Sequence, residues 1–232
     1  MPIIAPAALI FDVDGTLAET EELHRKAFNF TFGEFGLNWR WDKALYGELL
    51  KVAGGQNRLR HYIKTCQPER ADEFVDQVKE LHQHKTITYG RLLAKGHIEL
   101  RPGIEKLIHQ AIEQGLKLAI VTSTSRINVD KLFEATLGMA VLDKFDAICC
   151  GDDVEAVKPA PDLYLLALKR LNLPPQECLA FEDSEIGLQA ARAAGIPTVI
   201  TISTYCKDDD FTGASQIMDD LIAGGFQLQV PD

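Results

Sequence analysis

The chain has 232 residues, 46% of them hydrophobic and 25% charged, with a formal net charge of −10. Its size suits one large domain or a core with a smaller insert, and its acidic balance argues against nucleic acid or an anionic membrane as main partner, because phosphate-backbone binding needs a basic face. No run approaches the roughly 18 apolar residues of a bilayer span, Met1–Phe11 lacks the basic stretch of an export signal, and five cysteines without such a signal point to reduced thiols in the cytoplasm.

The first predicted element is a strand. The apolar run Ala7–Phe11 is closed by Asp12-Val13-Asp14-Gly15-Thr16. A run ended by Asp-x-Asp-Gly reads as a buried strand delivering two acids to its carboxyl end, where open α/β sheets place ligands. Alternation along extended backbone would put Asp12 and Asp14 on one side, within reach of one metal ion. The pattern then turns helical. Thr20-Glu21-Glu22 reads as a helix start, Leu23, Ala27, Phe28, Phe32 and Phe35 recur at three- and four-residue spacing, and Gly36 is the expected stop. Helical patterns continue to about Leu93 with no strand among them, and Lys95–Gly103 reads as a connector. His82-Gln83-His84 cannot present both imidazoles on one helical face, so no metal site is expected there.

From Ile104 the pattern alternates. A helix over Ile104–Gln114 leads into a strand over Lys117–Thr122, then a helix from about Ile127 to Leu137 and a strand over Ala147–Cys150. A helix over Asp162–Leu171, a strand over Leu179–Phe181, a helix over Glu185–Ala194 and a last strand over Thr198–Ile202 follow. Such alternation implies an α/β fold with a parallel sheet and helices on both faces. The all-helical stretch 19–94 reads as a cap domain inserted into a core made of 1–18 and 95–232. Three further signals fall at carboxyl ends of strands: Thr122-Ser123-Thr124-Ser125-Arg126, Lys158 before Pro159, and Glu182-Asp183-Ser184. Together they supply anion-binding hydroxyls, a fixed cation and a second carboxylate pair at the edge that carries Asp12 and Asp14.

These motifs, with Gly-x-x-Ala-Ala-x-x-Ala-Gly ending at Gly195, span Asp12 to Gly195 in an order that resembles the haloacid dehalogenase superfamily of phosphotransferases. The resemblance implies a Rossmann-like parallel-sheet core with an inserted helical cap. It implies Asp12 as the nucleophile that forms an aspartyl-phosphate, and Asp14 as the acid and base. It also implies Mg2+ held by Asp12, the Asp14 backbone carbonyl and Asp183, with Glu182 on the metal's water shell. Thr122, Lys158 and backbone amides near Ser123 would grip the transferring phosphate.

A cap of this size favours small soluble substrates. Thr20-Glu21-Glu22-Leu23-His24 resembles the Thr-x-x-x-His that lines the substrate site in β-phosphoglucomutases and their phosphatase relatives. Gly54 and Gly55 let backbone approach a ligand, and Lys51 and Arg58 bracket them with the charge a second phosphate needs. Thr124, Ser125 and Arg126 are further candidates for that distal phosphate. Phosphoglucomutases carry an arginine about where Gly55 stands. The pattern here is similar instead to the CbbY-like phosphatases, which are linked to removing xylulose-1,5-bisphosphate. The expectation is a cytoplasmic, Mg2+-dependent phosphatase of a phosphorylated sugar, a bisphosphate such as xylulose-1,5-bisphosphate, acting as a monomer or weak dimer without nucleic-acid or membrane partners. The alternatives are a β-phosphoglucomutase-type phosphomutase, a phosphoglycolate phosphatase and a catalytically silent binding protein of the same fold.

Overall fold

The computed structural model describes residues 5–74, 76–96 and 98–228. It divides into two compact units, Met1–Glu19 with Ile98–Asp232 and Thr20–His97.

The first unit is built on a six-stranded parallel sheet. Its strands are β1 (Ala8–Phe11), β2 (Lys117–Val121), β3 (Ala147–Cys149), β4 (Cys178–Glu182), β5 (Thr198–Thr201) and β6 (Gln216–Met218), in the order β3-β2-β1-β4-β5-β6. The inner strands are near-continuous apolar runs because both faces of the sheet are covered. The helix Asp162–Leu171 closes one face, burying Leu163, Tyr164, Ala167, Leu168 and Leu171 in the same cluster as Ala8, Ile10, Ala119, Val121 and Ala180. Phe11 pairs with Ile120 on one side and Phe181 on the other, so β1 lies where the strand order reverses. Backbone bonds carry the alignment past the last strand residues: Asp12 N donates to Phe181 O at 3.0 Å and Thr122 N to Cys149 O at 3.0 Å. Asp12, Thr122 and Glu182 therefore emerge at one edge.

The sequence reading ended the sheet at Ile202. The sixth strand corrects it: β6 pairs with β5 from Val199↔Gln216 to Thr201↔Met218. Three residues, Gln216 and Ile217 exposed and Met218 half-buried, form no apolar run, and only the ladder of β5 defines them. β4 is also longer than expected, because Glu182 still pairs with Ile200.

Arg101 fastens this unit from inside. Its buried guanidinium donates to the carbonyls of Gly15, Thr201 (2.8 Å), Ile202 (2.8 Å) and Asp219 (2.5 Å). Its own N–H reaches Leu17 O at 2.8 Å. One side chain thus ties the loop after β1 to the end of β5 and the segment after β6.

The second unit is all-helical: Glu21–Glu34, Lys43–Leu50, Gly55–Cys66, a 3-10 turn Pro68–Arg70, Ala71–Phe74 and Val78–Lys95. Its core is aromatic. Phe32 meets Trp41 edge-on at 5.0 Å between centroids, and Tyr62 meets Trp39 and Trp41 at 5.5 and 5.3 Å. Each such pair adds about 0.5–1.5 kcal/mol beyond burial. Asn29 locks the backbone of Trp41 from both sides, donating to its O at 2.8 Å and accepting from its N at 2.7 Å.

Candidate active site

The loop after β1 needs glycine at position 15. Gly15 has a φ of 85°, a left-handed conformation, and a Cβ there would overlap the Asp183 carboxylate. The Asp-x-Asp-Gly turn can thus pass directly against Asp183, the acid that follows β4. Asp12, Glu182 and Asp183, all buried, offer carboxylate oxygens within 4.8 Å of one another. Asp14 stands half-buried on the same loop, in an isolated bridge with Ala18.

Lys158 crosses this acidic cluster. Its buried ammonium donates to Asp12 Oδ1 at 2.6 Å, Glu182 Oε1 at 2.5 Å and Val121 O at 2.9 Å, which uses all three of its protons. Burial works to lower the affinity of Lys158 for its proton, but Asp12 and Glu182 overcome this and hold the group above the usual lysine range. Asp12 is raised as well, but here burial is the cause. Burial pushes its carboxyl well above the ordinary value, Lys158 pulls it down, and Glu182 and Asp183 add to the rise. One cation does not balance three buried acids.

Two features of the cluster fit a hard divalent cation. The donor set is carboxylate oxygen only. Glu182 Oε2 is buried with no hydrogen-bond partner among the described residues, an arrangement that costs energy unless something outside the chain meets it.

Beside the cluster, β2 opens into a hydroxyl-rich turn. Thr122 is buried and its Oγ1 accepts from Thr124 N at 3.1 Å. Ser123 Oγ and Ser125 Oγ are buried without partners among the described residues. Asn128 donates to Thr124 Oγ1 at 2.8 Å and steadies the turn. Arg126 is exposed and pairs with Asp130 at 2.7 Å. The structure brings Asp12, Thr122, Ser123, Lys158, Glu182 and Asp183 to one sheet edge, with Arg126 facing solvent along its own helix.

In the helical unit, His24 lies on the buried face rather than the surface. Its Nδ1 is 2.6 Å from Lys85 Nζ, and its ring stacks on Tyr89 at 3.9 Å. Lys85 is itself buried, 4.8 Å from the centre of the Phe28 ring. Thr20 is buried, and Glu21 accepts from Tyr46 Oη at 2.6 Å. Arg58 is buried, donating to Leu49 O at 3.2 Å and Tyr46 Oη at 3.1 Å, so its guanidinium ties its own helix to Lys43–Leu50. Lys51 is exposed and pairs with Glu48. Gly54 and Gly55 open the third helix, and a Cβ on Gly55 would run into the His82 imidazole.

The sequence reading missed Lys85, Asn128 and Tyr164. Lys85 and Asn128 carry polar heads onto apolar helix faces, a mismatch in the periodicity that could have marked them. Tyr164 fits the apolar stripe of its helix and reads as core; only the partner of its hydroxyl distinguishes it.

A family model described as haloacid dehalogenase-like hydrolase matches residues 6–195. Protein CbbY of Rhodobacter capsulatus is 48% identical over 220 residues, covering 95% of this chain and 96% of the relative. A CBBY-like protein of Arabidopsis thaliana is 41% identical, covering 92% of this chain and 69% of its own length. Among solved structures, a mutant CbbY from Rhodobacter sphaeroides in complex with xylulose-(1,5)bisphosphate superimposes with a TM-score of 0.86 at 41% identity, covering 93% of this chain and 94% of that one.

Proposed function

This chain belongs to the haloacid dehalogenase-like hydrolases, and from that premise we propose that it is a Mg2+-dependent phosphatase of a phosphorylated sugar, a bisphosphate of the xylulose-1,5-bisphosphate type. The observation that carries the reading is the buried triad Asp12, Glu182 and Asp183 spanned by Lys158. The relatives named CbbY, one of them solved with the sugar bisphosphate, support the substrate class.

Phosphate-monoester hydrolysis is slow enough without a catalyst that accelerations reach on the order of 10²¹, and most of that must come from positioning and charge neutralisation. Asp12 and Asp183, with Glu182 on the water shell, would hold Mg2+, which would supply positive charge to offset burial and the neighbouring acids, favour the ionised form of Asp12 and screen its repulsion from phosphate. Asp12 Oδ1 is tethered by Lys158, which leaves its other oxygen to attack phosphorus. The phosphorus–oxygen bond to the sugar breaks, Asp14 gives its proton to the departing oxygen, and phosphate remains on Asp12. A water then attacks the same phosphorus, Asp14 takes its proton, and Asp12 is freed as a carboxylate. Thr122 and Ser123 would bind the phosphoryl oxygens, while Lys158, whose three protons are engaged by Asp12, Glu182 and Val121, would contribute its positive charge. Gly55 argues against a phosphomutase, since the His82 imidazole fills the space a side chain at 55 would need. Cysteines left unbridged, four of them buried, fit a reducing cytoplasm.

Rapid quenching during turnover, followed by borohydride reduction and peptide mass spectrometry, tests the mechanism. Residue 12 should be converted to homoserine in the wild type and stay unmodified in Asp12→Asn, which should also release no phosphate. Phosphate release by Asp12→Asn near the wild-type rate would overturn the mechanism.

A further inference from the structure

We infer that Tyr164 is a positioning residue for the acidic triad, setting the orientation of the Glu182 carboxylate and, through it, the affinity for Mg2+; this rests on the metal reading above. Tyr164 is fully buried on the helix that follows Lys158-Pro159, and its hydroxyl donates to Glu182 Oε1 at 2.5 Å. The same oxygen accepts from Lys158 Nζ at 2.5 Å. A carboxylate turns easily about its last bond, and the outer torsion of a glutamate is broad. One ammonium that also serves Asp12 and Val121 is a weak constraint on that turn, because it acts as a point charge with rotatable donors.

A second donor from a rigid ring is a strong constraint. Tyr164 has two side-chain torsions, both fixed by burial, and its ring also lies 5.5 Å from Lys158 Nζ. With both donors on Oε1, its two lone pairs are engaged, and the acceptor Glu182 has left for a cation or its water shell is Oε2. That atom has no partner among the described residues. The helix after β4 leaves room for it only because residue 187 is glycine: a Cβ there would overlap Oε2. The tyrosine hydroxyl and the missing side chain at 187 thus act on opposite oxygens of one carboxylate.

Tyr164→Phe keeps the ring and removes the hydroxyl. Calorimetric titration of substrate-free protein with MgCl2, alongside thermal unfolding in EDTA, reads the two possible roles apart. Groups behind metal ligands typically govern affinity by about 10- to 100-fold, so the variant should bind Mg2+ at least tenfold more weakly. Wild-type Mg2+ affinity in Tyr164→Phe, with or without a lower unfolding temperature, would overturn the inference and leave Tyr164 as core packing. Wild-type protein that takes up no Mg2+ would overturn the metal reading, and this inference with it. Should the variant not fold, wild-type protein labelled with 3-fluorotyrosine gives the same answer: a Mg2+-dependent shift of the Tyr164 fluorine signal is expected, and an unmoved signal refutes the role.

Discussion

His82 carries a stability prediction with a defined size. Burial, with Lys85, His24, Arg58 and Arg60 nearby, lowers its pKa from the ordinary 6.5 to about 3. The folded helical unit therefore holds the imidazole neutral, while the unfolded chain binds a proton below pH 6.5. Stability from this group is complete above that value and is lost as pH falls through 6.5 toward 3. At pH 7.5 about a tenth of unfolded molecules carry the proton, at pH 5.0 nearly all do, and folded ones carry almost none at either. Integrated, the loss between the two is about 2 kcal/mol at most. Both tryptophans, Trp39 and Trp41, lie in the helical unit, so urea unfolding followed by tryptophan fluorescence reads this unit. His82→Gln should remove that share of the pH dependence, and the His82 ring should show no titration above pH 5 by NMR. A ring titrating near 6.5, or a variant that loses stability with acid as steeply as the wild type, would show that the folded unit does not hold His82 neutral.

Two other substitutions test the first unit. Lys158→Met leaves Asp12 and Glu182 buried without their cation, which should cost about 3–5 kcal/mol in EDTA, with part of the loss recovered by Mg2+; circular dichroism during urea unfolding measures both, and equal stability in EDTA would contradict the placement. Arg101→Ala removes a buried guanidinium from four carbonyls, and with about 1–3 kcal/mol for each buried group left unmet it should lower the unfolding midpoint by several degrees, whereas an unchanged midpoint would show those bonds to be replaced by water.

How much of this was legible depends on where each signal resides. β1, β2 and β4 could be read because strands buried on both faces are written as apolar runs, and their carboxyl ends carry the acids and hydroxyls in plain view. β6 could not, since a three-residue edge strand is made by its neighbour's hydrogen bonds rather than by its own side chains. Charge is less legible in its partners: the pattern marks Arg58 as a cation beside Gly54 and Gly55, and the structure adds that two of its five N–H groups meet Leu49 O and Tyr46 Oη inside the helical unit. Sequence shows that a cation is present but not which carbonyl it meets. Tyr164 illustrates the converse: its position in an apolar stripe is legible, while the glutamate above its hydroxyl comes from a strand closed later in the chain.

The most direct test of the central claim is steady-state phosphate release from xylulose-1,5-bisphosphate, with and without Mg2+, against a panel of sugar monophosphates and phosphoglycolate. Mg2+-dependent release with kcat/KM highest for the bisphosphate is expected. Release that survives EDTA, or a clear preference for phosphoglycolate or a monophosphate, would contradict the claim.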